Sequence, residues 1–231
     1  MYSFGRIESH DVRDTQYSIA PLLFYAPNIT EKFWWDDGWW GDQGDDPFCV
    51  AFSWMHWLED GPVIQDSILG RQKPLFDVYT FYKTCQKIDG FDGDNYAGTT
   101  VRAGAKILKK LGLITEYRWG FSIDEIIISL LTLGPMVIGT KWTDRMNIPN
   151  NKGLIKSKGR IIGGHAYIIN GIDVNREYFR IKNSWGYDWG DKGHAYISFS
   201  DFEKLFNDEG EACIASEIKI REIPSLGWIK K

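Results

Sequence analysis

Residues 163–186 read GGHAYIINGIDVNREYFRIKNSWG. His165 to Ile172 and Glu177 to Lys182 are runs of β-formers separated by the turn Asp173-Val-Asn-Arg-Glu177, so the stretch predicts a hairpin. His165 and Asn183 share the centre 174, inside that turn. In a regular hairpin they face each other on one side of the sheet, with Cβ atoms about 5 Å apart. An Asn oxygen there accepts from one ring nitrogen of the histidine, which fixes the tautomer and leaves the other nitrogen for a thiol. His194 opens a second string of the same type, Gly-His-Ala-Tyr-Ile, and it too shares a centre with Asn183, at 188.5. That centre falls in the Gly-rich loop Trp185 to Gly193, which fixes register poorly. The spacing favours His165 and leaves His194 open.

Outward from the hairpin, Met136 to Lys141, His194 to Phe199 and Ala212 to Ile220 also read as strands between Gly, Asn and Asp turns. The first half has the opposite character. Cys49 to Glu59 is apolar and stops at Asp60-Gly61-Pro62, which predicts a buried helix. Pro74 opens a second helix to about Cys85. A third runs from about Thr100 to Leu111 with Gly112 as its cap. The capping box Ser122-Ile-Asp-Glu125 starts a fourth, ended by Gly134-Pro135. Residues 1–48 read as extended chain and loop. Helices followed by strands predict an α+β fold of two lobes with a cleft between them, where ligand sites tend to lie.

The 231 residues carry 27 basic and 31 acidic side chains, a net charge of −4. With no long Lys/Arg run, this balance argues against a nucleic-acid partner. The longest apolar stretch, Ile126 to Ile138, is broken by Ser129, Thr132, Gly134 and Pro135, and a span needs about 20 mostly apolar residues, so no membrane partner is expected. Residues 1–10 lack the apolar core of a signal peptide. The three cysteines, Cys49, Cys85 and Cys213, are too few and too spread for a disulfide framework. Together these predict an intracellular, cytoplasmic chain (carried in a viral particle if the source is a virus), with Cys85 and Cys213 as free buried thiols. Aromatic residues make up 15%, crowded at Phe33-Trp34-Trp35 and Trp39-Trp40, and read as dense packing. The acidic run Asp89 to Asn95 has the wrong spacing for a calcium loop, and no metal or other cofactor is expected.

Cys49 falls at the first turn of its helix, where backbone N–H groups and the macrodipole favour a thiolate. His56, seven residues along the same helix, stands roughly 10 Å away and cannot be its base. His10 lies in an irregular segment and offers no argument.

Three strings, Gln43-Gly-Asp-Asp-Pro-Phe-Cys49-Val-Ala-Phe-Ser53, Gly163-Gly-His165-Ala, and Asn183-Ser-Trp-Gly186 with Trp189-Gly190 and Gly193, together resemble the papain-like cysteine proteases. The likeness covers roughly residues 40 to 200 in the family's order of Gln, Cys, His, Asn, and it favours His165 over His194. It implies a single peptidase domain over 1–231: an N-terminal arm at 1–40, a mainly helical left lobe at about 41–115, and an antiparallel β-barrel-like right lobe at about 116–231. By the same resemblance Cys49 is the nucleophile, His165 its imidazolium partner and Asn183 the group that orients the ring, with Trp185 over that hydrogen bond. Gln43 and the Cys49 N–H serve the oxyanion. The reaction implied is hydrolysis of a protein or peptide substrate through an acyl-thioester.

The chain also departs from the pattern. Asp46-Pro47-Phe48 replaces the usual Cys-Gly-Ser, so Pro47 and Phe48 are expected to narrow the pocket beside the scissile bond. Asp36, Asp37, Asp42, Asp45 and Asp46 read as a solvated acidic loop near the cleft. Gly98 is the candidate for the glycine that lines the substrate backbone. Met136 and Gly139 are expected on the wall of the second-subsite pocket, with Gly164 leaving its floor open and uncharged, so that an apolar side chain is tolerated. The residues before Gln43 resemble the short N-terminal arm of bacterial and viral members of the family, which implies an enzyme made without a propeptide brake. Two rivals stand beside the peptidase: a papain-fold binding module with a blocked cleft, and a Cys-His-Asn hydrolase acting on cell-wall or isopeptide crosslinks.

Overall fold

The computed structural model describes residues 2–23, 33–35, 38–63, 73–93 and 95–217. Helix α1, Cys49–Asp60, is buried along its whole length, including Ser53, His56, Glu59 and Asp60. A helix apolar on most sides is a core helix. Here it is wrapped by α2 (Val78–Gln86) and α3 (Val101–Lys110) through Trp54, Trp57, Leu58, Phe81, Cys85 and Leu108. Asp77, rather than Pro74, starts α2, because its carboxylate accepts from the Thr80 N–H. Thr100 caps α3 through the Ala103 N–H.

A second core lies within the strands. One sheet runs in the order β2-β8-β3-β5-β6-β7-β4, with β1 (Phe33–Trp34) laid on β5. Its members are β2 (Ile114–Gly120), β3 (Met136–Thr143), β4 (Leu154–Ile155), β5 (Ile161–Asp173), β6 (Tyr178–Lys182), β7 (His194–Ser198) and β8 (Glu211–Glu217). Pairing is antiparallel except between β4 and β7. Ile138, Trp142, Ile169, Phe179 and Phe202 fill this core, with Ile126 and Leu130 from α4 (Ile123–Thr132). Four of these elements are absent from the sequence expectation: the two-residue strands β1 and β4, strand β2 and a helix, α5 (Phe199–Asn207). Strand β2 follows α3 directly. Helix α5 (Phe199–Asn207) begins where Ser198 accepts from the Asp201 N–H, and so ends β7 one residue early. The expected strand beyond Glu217 lies outside the described residues.

The hairpin forms, with a different register. Ile168 pairs with Lys182 and Ile169 with Ile181, centred on 175, one residue beyond the expected 174. Extended along the strands, this places Asn183 opposite Tyr167, so His165 is a diagonal neighbour on the same face, still within reach of a side chain. Nearer the turn Gly171 pairs with Arg180, because Asn170 is an extra residue in β5. That bulge changes the parity of the pairing, and therefore which residues of the two strands share a face.

Asn170 is held by the charges that dock the two lobes. Its amide donates to Asp60 Oδ2 of α1 at 2.7 Å, and its oxygen accepts from Arg180 Nε at 3.0 Å. Asp60 also pairs with Lys182, both fully buried, and Lys182 Nζ lies 4.5 Å from the Trp40 ring centre. The Lys182→Met variant takes the ammonium from the buried Asp60 carboxylate, and breaking a buried ion pair typically costs about 3–5 kcal/mol. Urea unfolding should show a loss of that size, and a loss under about 1 kcal/mol would contradict this account of lobe docking.

Candidate active site

Cys49 is the first residue of α1, and its N-cap is Phe48, which has no side-chain acceptor. The first N–H groups of the helix are thus left for another acceptor. Backbone N–H groups of Ala166, Gly5 and Val50 all point at the thiol. Ala166 follows His165 in β5, so the strand brings the histidine beside the helix start. His165 Nε2 lies 2.8 Å from Asn183 Oδ1. Since an amide oxygen only accepts, Nε2 carries the proton and Nδ1 keeps the lone pair. Nδ1 is buried with no hydrogen-bond partner, as are Asn183 Nδ2 and Trp185 Nε1. Buried unpaired polar atoms are uncommon, and three of them gather here. Trp185 lies over the imidazole at 5.0 Å and Trp142 meets it edge-on at 4.8 Å, sealing the pair from water.

Gln43 is brought in by a backbone ladder. Gln43 N–H donates to the Ser184 carbonyl and Gly186 N–H to the Gly41 carbonyl, beside Asn183. The Ser184 hydroxyl donates to Gln43 Oε1, which turns Nε2 outward. Cys49, His165, Asn183 and Gln43 therefore converge on one cleft, with Trp185 beside them. His194 does not join them: it pairs with Lys182 in the sheet, and its ring stacks edge-on against Trp40. His56 accepts from the Gly41 N–H inside the helical lobe.

The cleft is filled by the chain's own N-terminal segment. The Ser3 carbonyl accepts from Gln43 Nε2 at 3.0 Å. Tyr2 stacks on Trp185 at 3.9 Å, and Phe4 meets His165 edge-on at 5.7 Å. The Gly5 carbonyl accepts from Thr99 N–H, Ile7 N–H donates to Thr99, and Arg6 N–H donates to Gly164. The Arg6 guanidinium is buried against Glu211, Nε to Oε1 at 2.8 Å, with an Nη2 bond to the Glu209 carbonyl at 2.8 Å. Farther along, Arg102 of α3 pairs with Asp14 and fastens the strand's continuation. The Cys49 thiol meets the segment at the Gly5 N–H.

Several expectations change accordingly. Gly98 does border a peptide backbone: a Cβ there would lie 2.4 Å from the Gly5 oxygen. Pro47 walls the cleft through its backbone, and a Cβ on Gly5 would lie 2.0 Å from the Pro47 oxygen. Phe48 does not narrow the cleft; it packs into the helical lobe, 4.5 Å from the Tyr82 ring. Met136 is fully buried in the sheet core, whereas Gly139 adjoins Arg6 and Glu211. The second pocket is therefore neither open nor uncharged, since Glu211 lies in it. The cleft expected to be unobstructed is occupied by residues 2–7. Asp42 accepts from Gly44 N–H, while Asp36 and Asp37 lie outside the described residues. Asp89 accepts from the Tyr96 and Thr99 hydroxyls, a structural role.

A model of the papain family of cysteine proteases matches residues 79–214, more than half of the chain. The chain belongs to the papain family of cysteine proteases. The matched stretch contains His165 and Asn183; Gln43 and Cys49 precede it, and their assignment rests on the geometry above. Mouse cathepsin O is 34% identical over 91 residues, 36% of this chain and 27% of that protein. The cathepsin B-like CP3 of Giardia intestinalis is 36% identical over 84 residues, 34% of this chain and 27% of that protein. The chain thus spans about a quarter of the length of these curated relatives. Among solved structures, xylellain, a cysteine protease from Xylella fastidiosa, superposes with a TM-score of 0.69 at 21% identity, covering 94% of this chain and 97% of that one. Bromelain from Ananas comosus in complex with E64 gives 0.59 at 14%, covering 82% and 100%. The papain-like two-lobe fold follows from these likenesses.

Burial decides the charge state of this papain-family pair. It pushes the Cys49 thiol up to about 11 despite the N–H groups around it, and holds His165 down at about 4 despite Asn183. The filled cleft thus holds a neutral thiol and a neutral imidazole. From about pH 6.5 down to 4 an unfolded chain binds a proton that the native one refuses, so stability falls with pH through that window. From about pH 9 up to 11 the native chain retains a proton that the unfolded one releases, so stability falls as pH rises. Gly5→Ala, which forces a Cβ into the Pro47 backbone, should expel the segment. Iodoacetamide should label Cys49 of the wild type slowly at pH 7 and at least tenfold faster in Gly5→Ala, read by mass spectrometry. Equal rates would show that the segment does not shield the thiol.

Proposed function

We propose that the protein is a cysteine peptidase that hydrolyses peptide bonds through an acyl-enzyme on Cys49, and that residues 2–7 hold it closed until they are displaced. The reading rests above all on one observation, that Gln43 Nε2 donates to a peptide carbonyl, that of Ser3, in the same cleft as the Cys49 thiol and the His165 lone pair.

With a substrate in place of the segment, His165 Nδ1 takes the thiol proton as sulfur attacks the scissile carbonyl carbon. The carbonyl π electrons move to oxygen, where Gln43 Nε2 and the Cys49 N–H receive the charge. Collapse of this tetrahedral species breaks the C–N bond, and the imidazolium gives its proton to the departing amine. Water then attacks the thioester, again with His165 as base, releasing the acid and restoring the thiol. Asn183 holds the ring in the tautomer that leaves Nδ1 free, and stabilises the imidazolium formed on the way. Tyr2 and Phe4, stacked on Trp185 and against His165, mark where the side chains after the scissile bond would rest.

In the Gly5→Ala background, Cys49→Ala should reduce peptide hydrolysis to background. Gln43→Ala should lower kcat by about 10²–10³, the usual cost of one oxyanion donor. A Gln43→Ala enzyme within threefold of its parent would exclude this role for Gln43.

A further inference from the structure

A cavity of about 550 Å³ lies between the 3-10 turn Val12–Tyr17, helix α3 and strand β2. None of Gln43, Cys49, His165 and Asn183 lines it. We propose that this cavity binds the phosphate group of a small organic phosphate.

Its charge comes chiefly from α3. Arg102, Lys106, Lys109 and Lys110 recur at helical spacing on the face that the buried residues of α3 leave free. Like charges so placed repel one another. Lys109 and Lys110 have a local reason, since cations in the last turn favour the macrodipole. Lys106, in the middle of the helix, has none. Three acids also line the cavity, and each is matched by an arginine: Asp11 by Arg13 at 2.8 Å, Asp14 by Arg102 at 2.7 Å, and Glu116 by Arg118 at 3.0 Å. Lys106 and Lys109 are exposed and have no ion-pair partner among the described residues. With Arg13, five cations face three carboxylates around the cavity, an excess of two positive charges.

Hydrogen-bond donors are in excess as well. Trp119 lines the cavity and is 4% exposed, and its Nε1 is buried without a partner. Arg102 Nε is in the same condition. The Arg102 guanidinium lies 4.7 Å from the Trp119 ring centre, so the two donors are neighbours. Buried donors without an acceptor are uncommon, and a bound ion is one of the things that satisfies them. A carboxylate would bring a single charge. A phosphate monoester brings about −1.5 to −2 at neutral pH, with three acceptor oxygens, which matches the excess of two. The organic part of the ester has Tyr17, 55% exposed, and Tyr117 to lie against.

The test uses the full chain at pH 7 and constant ionic strength, with phenyl phosphate, inorganic phosphate and benzoate as probes. Binding is read by calorimetry and by the indole N–H resonance of Trp119, assigned with Trp119→Phe. Phenyl phosphate should bind saturably, shift that resonance, and bind at least tenfold more tightly than inorganic phosphate or benzoate. Lys106→Gln with Lys109→Gln should weaken it at least tenfold, and Lys106→Arg with Lys109→Arg should bind within threefold of the wild type. Lys87→Gln with Lys156→Gln removes as much charge elsewhere and should leave binding unchanged. All four lysines are exposed, so these variants are expected to fold. Inorganic phosphate or benzoate binding as tightly as phenyl phosphate overturns the organic phosphate. Binding that ignores Lys106 and Lys109, or falls equally in the Lys87 and Lys156 variant, overturns the site. No saturable binding up to about 10 mM overturns the proposal outright. No readout involves Cys49, so each result holds whatever the outcome for hydrolysis.

Discussion

Asn170 is the residue on which the site depends. It is one residue too many in β5, and the bulge it creates sets the parity of the β5–β6 pairing. With the register of the turn end continued, His165 and Asn183 would project from opposite faces of the sheet. Past the bulge they share a face and meet at 2.8 Å. The same amide is tied to Asp60 at the end of α1, so the device that aligns the histidine also fixes the helix that begins with Cys49. Lobe docking and active-site geometry are thus one arrangement, enforced by a buried Asp60–Lys182 pair that has no water to fall back on.

The second constraint is dehydration. A helix N-terminus and several N–H groups favour a thiolate, yet burial outweighs them once residues 2–7 cover the sulfur. The occupant is bound by backbone hydrogen bonds to Thr99 and Gly164, by aromatic stacking on Trp185, and by the Arg6–Glu211 pair. Each contact imitates what a peptide ligand would offer. The sulfur faces the Gly5 N–H of the segment. Gly5 permits this, being the residue that passes closest to Pro47.

Much of this was legible in the sequence where the signal is local. Thr100 and Ser122 announce their helices because capping is a contact across a few residues. Cys49, His165, Asn183 and Gln43 stand out because their residue types and order carry the chemistry. Less legible was whatever depends on distant partners. Arg6 and Glu211 are 205 residues apart, and nothing near Arg6 reports its partner. A signal did exist at the other end: Glu211 opens the apolar strand Glu211-Ala-Cys-Ile-Ala, and an acid on a buried strand position demands a cation. Phe48 was misjudged because its position next to Cys49 says nothing about which way its ring turns; Tyr79 and Tyr82 of α2 draw it into the helical core. The shift of hairpin centre from 174 to 175 came from a bulge that alternation alone does not reveal.

The filled cleft stores Cys49 and His165 as a neutral pair. Nitrogen NMR of the histidine-labelled wild-type protein reads the His165 imidazole directly. The ring is expected to carry its proton on Nε2 and to stay neutral down to about pH 4. An imidazolium at His165 persisting at or above its ordinary 6.5 would contradict it, because the charged pair would then exist beneath the segment.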